Sequence, residues 1–389
     1  MSASPYLDVD ALLSDPATTT VVCCGSGGVG KTTTAAALAL RAAELGREVV
    51  VLTIDPARRL AQSMGLTELD NTPRAVAGVD TTAGGSLDAM MLDMKRTFDD
   101  VVLAATTPDK AEAIFANPFY TSLSSSFSGT QEYMAMEKLG QLKATGSWGL
   151  IVVDTPPTRS ALDFLDAPKH LTAFLDGRML KVLLAPAKAG GKAYLKVVSA
   201  SLSVFTRVIT KIIGAQVLTD LSHFVAALET MFGGFRERAE ATYELLAAPG
   251  TAFVVVAAPE PAALREAAFF VDRLAEERMP LAGLVLNRVH RSAAVQLTRE
   301  RALAAAEVLD ERGPDDETTA GVLRVHAERV ELAGRERRLR ERFTGGHPTV
   351  PLVEVGALAG DVHDLEGLRG IGAQLAGRQA PDAPGDAVA

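Results

Sequence analysis

Short runs of β-branched and other apolar residues alternate along the chain with longer Ala-rich stretches whose apolar positions recur at helical spacing. Thr18 to Cys24, Thr33 to Leu45 and Glu48 to Asp55 are the first three such segments. An extended run, a helical stretch and a second extended run predict a βαβ unit and hence a parallel sheet. Gly46 follows the helical stretch at the position where helices commonly end on glycine. Leu150 to Asp154, Phe253 to Ala257, Leu284 to Asn287 and Val350 to Val353 are further short apolar runs that read as buried strands. The pattern predicts an α/β fold, a mostly parallel sheet flanked by helices.

Two stretches break the alternation. The first carries Met90, Met91, Met94, Phe98, Ile114, Phe115, Phe119, Tyr120, Phe127, Tyr133, Met134 and Met136 and reads as helices inserted into the α/β core. The second, from about His170 to Leu246, places Leu195, Val198, Leu202, Phe205, Ile209 and Ile212 at spacings of three and four, with Val197, Val204 and Val208 widening the stripe. Such a stripe is either packed within its own subdomain or leaves a Met- and Phe-rich surface for a partner. The expected organisation is a core from residues 1–86, a helical insertion over 87–145, core again over 146–169, a second insertion over 170–246, the last part of the core over 247–376, and a mobile tail over 377–389 rich in Pro, Ala, Gly and Asp.

Composition narrows the function classes. The 389 residues include 39 Lys and Arg against 48 Asp and Glu, a net charge of −9, so a broad electrostatic grip on nucleic acid or anionic lipid is not expected. Cys23 and Cys24 are the chain's two cysteines, adjacent in one apolar run, which provides neither a disulfide framework nor a zinc site and suggests a reducing, cytoplasmic compartment. Asp8, Asp10 and Asp15 near the start argue against a signal peptide, and no apolar stretch reaches membrane-spanning length. The histidines His170, His223, His290, His326, His347 and His363 show no metal-ligand spacing.

Gly25-Ser26-Gly27-Gly28-Val29-Gly30-Lys31-Thr32 fits G-x-x-x-x-G-K-[ST] and lies directly after a predicted strand and before a predicted helix. Glycines let the backbone curl so that N–H groups converge on phosphate, and the helix N-terminus adds a favourable dipole. Gly27, Gly28, Val29, Gly30, Lys31, Thr32 and Thr33 are the candidate nucleotide-binding residues, with Lys31 neutralising phosphate charge and Thr32 offering a hydroxyl to Mg²⁺. Two carboxylates end predicted core strands, the edge at which open parallel sheets bind ligands. Asp55 is placed to orient or deprotonate a water near the γ-phosphate, its plain alternative being a turn or cap ahead of Pro56. Asp154 ends an all-apolar strand in the manner of a Walker-B acid serving the Mg²⁺ shell. The cofactors implied are ATP and Mg²⁺.

These residues resemble those of the arsenite-pump and tail-anchored-protein-targeting ATPases, a deviant Walker-A group of P-loop ATPases, over nearly the whole chain and most of all its actinobacterial members. Thr53-Ile54-Asp55-Pro56-Ala57 is similar to the family's T-D-P-A-H switch I, and Asp154-Thr155-Pro156-Pro157-Thr158 to its D-T-A-P-T switch II. Phe253 to Val256 followed by Pro259-Glu260, Leu286-Asn287-Arg288, and Val350-Pro351-Leu352 resemble later family segments. The resemblance implies that Lys31 and Thr32 bind phosphate and Mg²⁺, that Asp55 positions the attacking water, that Asp154 senses the metal, and that Asn287 and Pro351 border the base. It also implies a nucleotide-sandwich dimer whose opening and closing rearranges a helical subdomain holding a hydrophobic protein client.

The departures are as informative. Where most of the family has a signature lysine reaching across the dimer, this chain has Ser26, which cannot supply that charge. One reading is an ATPase that is slow alone; another is a weakly active regulatory subunit of a heterodimer with a lysine-bearing paralogous ATPase. Arg58 and Arg59 replace the usual His and small residue in switch I, and Arg159-Ser160 replace Gly-His in switch II. The paired C-x-x-C of the zinc-clamped targeting members is missing, so a dimer would close by packing and nucleotide contacts. Trivalent arsenic needs several soft thiolates together, which Cys23 and Cys24 on opposite faces of one strand cannot provide. A small-molecule phosphotransferase on the same loop is a weaker reading, since no acceptor site is evident.

Overall fold

The computed structural model describes residues 5–55, 59–66, 68–117, 120, 130–156, 237, 240–292, 294 and 296–377. Its strands are β1 (Thr20–Cys24), β2 (Glu48–Thr53), β3 (Arg74–Ala75), β4 (Ser86–Met91), β5 (Leu150–Asp154), β6 (Thr251–Ala257), β7 (Leu281–Val289) and β8 (Leu352–Gly356). Its helices are α1 (Val9–Ser14), α2 (Lys31–Glu44), α3 (Arg59–Ser63), α4 (Met94–Ala105), α5 (Pro108–Phe115), α6 (Thr130–Thr145), α7 (Pro261–Glu276), α8 (Arg299–Arg312), α9 (Glu317–Gly346) and α10 (Leu365–Leu375). Among the described residues one sheet of eight strands runs in the order β3-β4-β2-β5-β1-β6-β7-β8. All neighbours are parallel except β3 with β4. This is the mostly parallel α/β architecture that the alternation of segments predicts.

The central strands β1, β5 and β6 are buried at every position and apolar except at their ends, Thr20, Asp154 and Thr251, because both of their faces are covered. Val21, Cys23, Val49, Val51, Leu150, Val152, Val254 and Val256 share a core with the Ala-rich face of α2 and with Leu368, Ile371 and Leu375 of α10. The intervening Val22, Cys24, Val50, Leu52, Ile151, Val153 and Val255 are equally buried on the opposite face. Small side chains let α2 press closely on the sheet: Ala35, Ala36, Ala37, Ala39, Ala42 and Ala43 are all buried. The helix ends as expected around Gly46, whose N–H donates to Ala43 while that of Arg47 donates to Ala42.

Arg47 then fastens the opposite end of the sheet from the strand C-termini. Nη1 donates to the carbonyls of Leu13 (3.0 Å) and Asp15 (2.8 Å), and Nη2 to those of Thr18 (2.9 Å) and Gly149 (2.6 Å). One guanidinium thus joins the end of α1 to the approaches to β1 and β5. Arg47→Ala is expected to lower stability by about 2–4 kcal/mol, since hydrogen bonds from a charged donor each contribute roughly 1.5–3 kcal/mol and water recovers part of the loss. Arg47→Lys should recover only part of it, because an ammonium cannot span the four acceptors. Thermal midpoints check this, and an unchanged midpoint in Arg47→Ala would contradict it.

Several boundaries differ from the sequence expectation. Residues 87–91, expected to open a helical insertion, belong to β4, so Met90 and Met91 are strand residues paired alongside Leu52 and Thr53 of β2. The mixed sequence Ser-Leu-Asp-Ala-Met-Met lacks the β-branched enrichment that marks the other strands. β2 ends at Thr53, leaving Asp55 two residues beyond it. β8 starts at Leu352, later than Val350: Pro351 has no N–H for the ladder, although its carbonyl accepts from Leu284 at 2.8 Å.

The chain divides into two compact units. The first holds the sheet and its helices. The second begins at Leu92 and includes α4, α5 and α6. Within the second unit Phe98, Val101, Val102, Ile114, Tyr120, Met134, Met136 and Leu139 are buried, and the Tyr120 ring lies 5.4 Å from the rings of both Phe98 and Phe115. Phe119, Phe127, the periodic stripe from Leu195 to Ile212, the switch positions Pro56 to Arg58 and Pro157 to Ser160, His170, His223 and the tail beyond Gly377 lie outside the described residues. Among the described residues no helix is long and apolar enough to cross a membrane.

Candidate nucleotide site

β1 delivers the chain to the ligand edge of the sheet, and α2 starts after six intervening residues, 25–30. Between them Gly25 and Gly30 adopt φ +146° and +94°. A Cβ on Gly25 would stand 2.1 Å from the Val256 carbonyl oxygen, and one on Gly30 would stand 2.3 Å from Nδ2 of Asn287. Both positions require glycine for space as well as for conformation. Gly27 and Gly28 are exposed, whereas the Val29 side chain is buried, leaving its backbone to serve a ligand. Gly30 caps α2 without a side chain, so the first N–H groups of the helix keep their capacity to bind an anion. Thr32 and Thr33 stand half-buried in the first turn.

Lys31 is buried, and its Nζ donates to the Ser26 carbonyl at 2.8 Å. Burial lowers its pKa, and the negative charges of Asp154 and Asp55 oppose the shift. The loop's cation is therefore folded against its own backbone, one hydrogen bond from release to a phosphate.

The acidic side of the site is built by the ends of β2 and β5. The Thr53 hydroxyl donates to Oδ2 of Asp154 at 2.8 Å and accepts the backbone N–H of Asp55 at 3.2 Å. The Ile54 N–H donates to the Asp154 carbonyl at 3.0 Å, and the Thr155 hydroxyl to the Cys23 carbonyl at 2.8 Å. One threonine thus links the two candidate carboxylates. Asp154 is fully buried, and its Oδ1 has no hydrogen-bond partner among the described residues. An ionised buried oxygen is costly unless something positive meets it. The donor set fits Mg²⁺: one unpartnered carboxylate oxygen, with the Thr32 hydroxyl bearing on the same carboxylate.

Burial raises the Asp154 carboxyl to about 6, against the Thr32 and Thr53 hydroxyls and the Lys31 charge. This folded value lies above the unfolded one near 3.9, so between about pH 4 and pH 6 the folded chain holds a proton that the unfolded chain has lost. The metal-free protein gains stability from this group as pH falls through that window and loses it as pH rises. Stabilisation by a Mg²⁺ ion held on this carboxylate would need it ionised and would run the other way, fullest above about pH 6. Thermal midpoints of wild type and Asp154→Asn, each in chelator and in Mg²⁺, isolate the effect. Identical pH curves for the two proteins would contradict it.

Asn287, near the end of β7, donates from Nδ2 to the Val29 carbonyl at 2.8 Å and accepts the Arg288 N–H at 2.9 Å. It is gathered against the phosphate loop itself. Pro351 is not brought into this group: it precedes the outermost strand, β8, three strands from β1. Parallel strands present their C-terminal ends to a ligand, so the residues leaving β8, from Gly356 onward, occupy the matching edge. Sequence reasoning assigned nothing to Thr53, although a hydroxyl ending an otherwise apolar strand is the available signal. It also gave no role to Arg288, which it named only within the segment Leu286-Asn287-Arg288.

A glycine-rich turn between a central parallel strand and a helix, a buried lysine at its end and an acid closing the neighbouring strand define the P-loop NTPase class of α/β proteins. The chain belongs within that class to the anion-transporting ATPase family, whose model matches residues 18–311. It is 31% identical over 145 residues to the ATPase get3 of Aspergillus terreus, covering 36% of this chain and 41% of the relative. It is 30% identical over 145 residues to the ATPase GET3 of Ajellomyces dermatitidis and 27% identical over 149 residues to that of Malassezia globosa. The match spans about two fifths of the length of these relatives.

Proposed function

We propose that this chain hydrolyses Mg·ATP at the loop Gly25–Thr32 and works as a dimeric switch. The observation that carries the reading is the buried Asp154, one oxygen held by Thr53 and the other without a partner among the described residues, beside the Lys31 that ends the loop. In the proposed mechanism the backbone N–H groups from Gly27 to Thr33 bind the phosphates, and Lys31 exchanges the Ser26 carbonyl for phosphate oxygen. Thr32 and Asp154 would hold Mg²⁺, which when bound neutralises charge developing on the phosphate oxygens. Asp55, anchored through its N–H to Thr53, orients the attacking water and accepts its proton. Asn287 stiffens the loop and borders the base, with Pro351 assigned to the same border by resemblance alone.

The client proposed for the switch is a hydrophobic protein segment carried by the helical insertions. Thiolate-held cargo has little support, since Cys23 and Cys24 are the chain's two cysteines and both are buried. Burial pushes the Cys24 thiol up to about 12 and the Cys23 thiol well above its ordinary value. Phosphate release from ATP tests the core of the proposal: it should proceed in Mg²⁺, stop in chelator, and yield ADP without a phosphorylated acceptor. Tight nucleotide binding with no release under any condition would overturn it.

Ser26 favours a second reading, in which the chain is a weakly active regulatory subunit that contributes half of a composite site to a heterodimer with a lysine-bearing paralogue. Mixing with such a partner would then raise turnover well above the sum of the two.

A further inference from the structure

The chain leaves β7 through Asn287, Arg288, Val289 and His290, and Arg288 in this exit adopts φ +62°. Non-glycine residues avoid that region, and arginine has no short polar side chain with which to compensate. The conformation persists because it is held from both sides. The Arg288 N–H donates to Asn287 Oδ1 at 2.9 Å, and Asn287 is itself tied to the Val29 carbonyl. Two residues later His290 is fixed to the buried carboxylate of Glu336 in α9, through its N–H at 2.8 Å and its Nδ1 at 2.7 Å. The pairing of β7 with β8 is irregular between Leu286 and Val289, and bulges and strained residues of this kind re-aim side chains at sheet edges and beside ligand sites.

The side chain so presented is exposed and has no ion-pair or hydrogen-bond partner among the described residues. Arg291 and Arg340, by contrast, both pair with Glu354. Strand order gives Arg288 a definite side of the nucleotide. Asp154 and Asp55, with the metal and attacking water assigned to them, lie on the β5 and β2 side of β1, while β6 and β7 lie on the other side. A phosphate chain seated over the loop with its terminal phosphate toward β5 directs its nucleoside end toward β7. Successive Cα atoms are about 3.8 Å apart, so Arg288 stands one residue from a side chain that touches the loop.

We propose that Arg288 is a nucleotide-binding residue whose guanidinium engages the nucleoside end of the bound nucleotide, the strained exit of β7 holding it there. This rests on the reading of the loop as a nucleotide site. It makes Arg288 a contributor to uniform binding, raising affinity for ADP and ATP alike without aiding the chemical step.

The test is titration of the full chain with ADP and with a non-hydrolysable ATP analogue in Mg²⁺, comparing wild type with Arg288→Gly and Arg288→Asn. Both replacements tolerate the left-handed conformation, so the thermal midpoint should hold or rise. Affinity for both nucleotides is expected to fall about tenfold with kcat unchanged, while Arg312→Ala, removing an exposed arginine from α8, leaves affinity intact. Unchanged affinity in both Arg288 variants would overturn the proposal alone, and a loss confined to the ATP analogue would overturn it by placing the guanidinium at the γ-phosphate. Failure of the wild type to bind either nucleotide would overturn the functional reading as well.

Discussion

Asp55→Asn is expected to lower phosphate release from Mg·ATP by about a hundredfold to ten-thousandfold, the range associated with loss of a positioned general base. The replacement is nearly isosteric and keeps the backbone N–H that donates to the Thr53 hydroxyl. It removes one charge and keeps the size of the side chain. Nucleotide affinity should remain near the wild-type value, since the loop, Lys31 and Asn287 are untouched, so the loss should appear in kcat with KM nearly unchanged. Single-turnover phosphate release together with equilibrium ADP binding separates the two quantities. A variant with weakened binding and unaltered kcat would move Asp55 out of the chemistry and leave it as a structural turn.

Ser26→Lys is the complementary gain. Ser26 stands in the second position of the loop, half-buried, and its carbonyl rather than its side chain holds Lys31. A lysine there would leave that hydrogen bond available and add a cation next to the phosphates. If two copies close over their nucleotides, the new charge meets developing negative charge in the partner's site. Supplying or removing one such group typically changes turnover by about a hundredfold or more, and turnover of Ser26→Lys is expected to exceed that of the native chain by about that factor. The gain should grow with protein concentration, because the lysine acts across the dimer. A gain seen equally at all concentrations would place its action within one chain, and no gain would remove the cross-dimer account of Ser26.

Those parts of the fold governed by local pattern were legible in the sequence. The runs ending in Cys24, Asp154 and Ala257 are continuous apolar strands because both faces of the sheet are covered, and continuous apolar runs are easily read. The loop was legible for another reason, since its glycines, lysine and threonine are fixed by the shape of a phosphate cradle. β4 was not legible: Ser86, Asp88 and Ala89 dilute its apolar residues, and the parallel pairing with β2 that makes it a strand is a tertiary fact. The helical pair α8 and α9 was equally silent. Its buried positions are mainly Ala302, Ala306, Ala320 and Ala327, and alanine marks a helix face only weakly. Within the site, the individual carboxylates could be named from strand ends, but their linkage through Thr53 and the strained presentation of Arg288 required backbone positions that no spacing encodes.

The most direct test of the central claim is phosphate release per chain from Mg·ATP over a wide concentration series of purified protein, with Asp55→Asn run in parallel. A self-completing dimeric ATPase predicts a rate per chain that rises with concentration, reaches a plateau and is absent from Asp55→Asn. A rate per chain that is flat with concentration, or that persists in Asp55→Asn, would contradict the account.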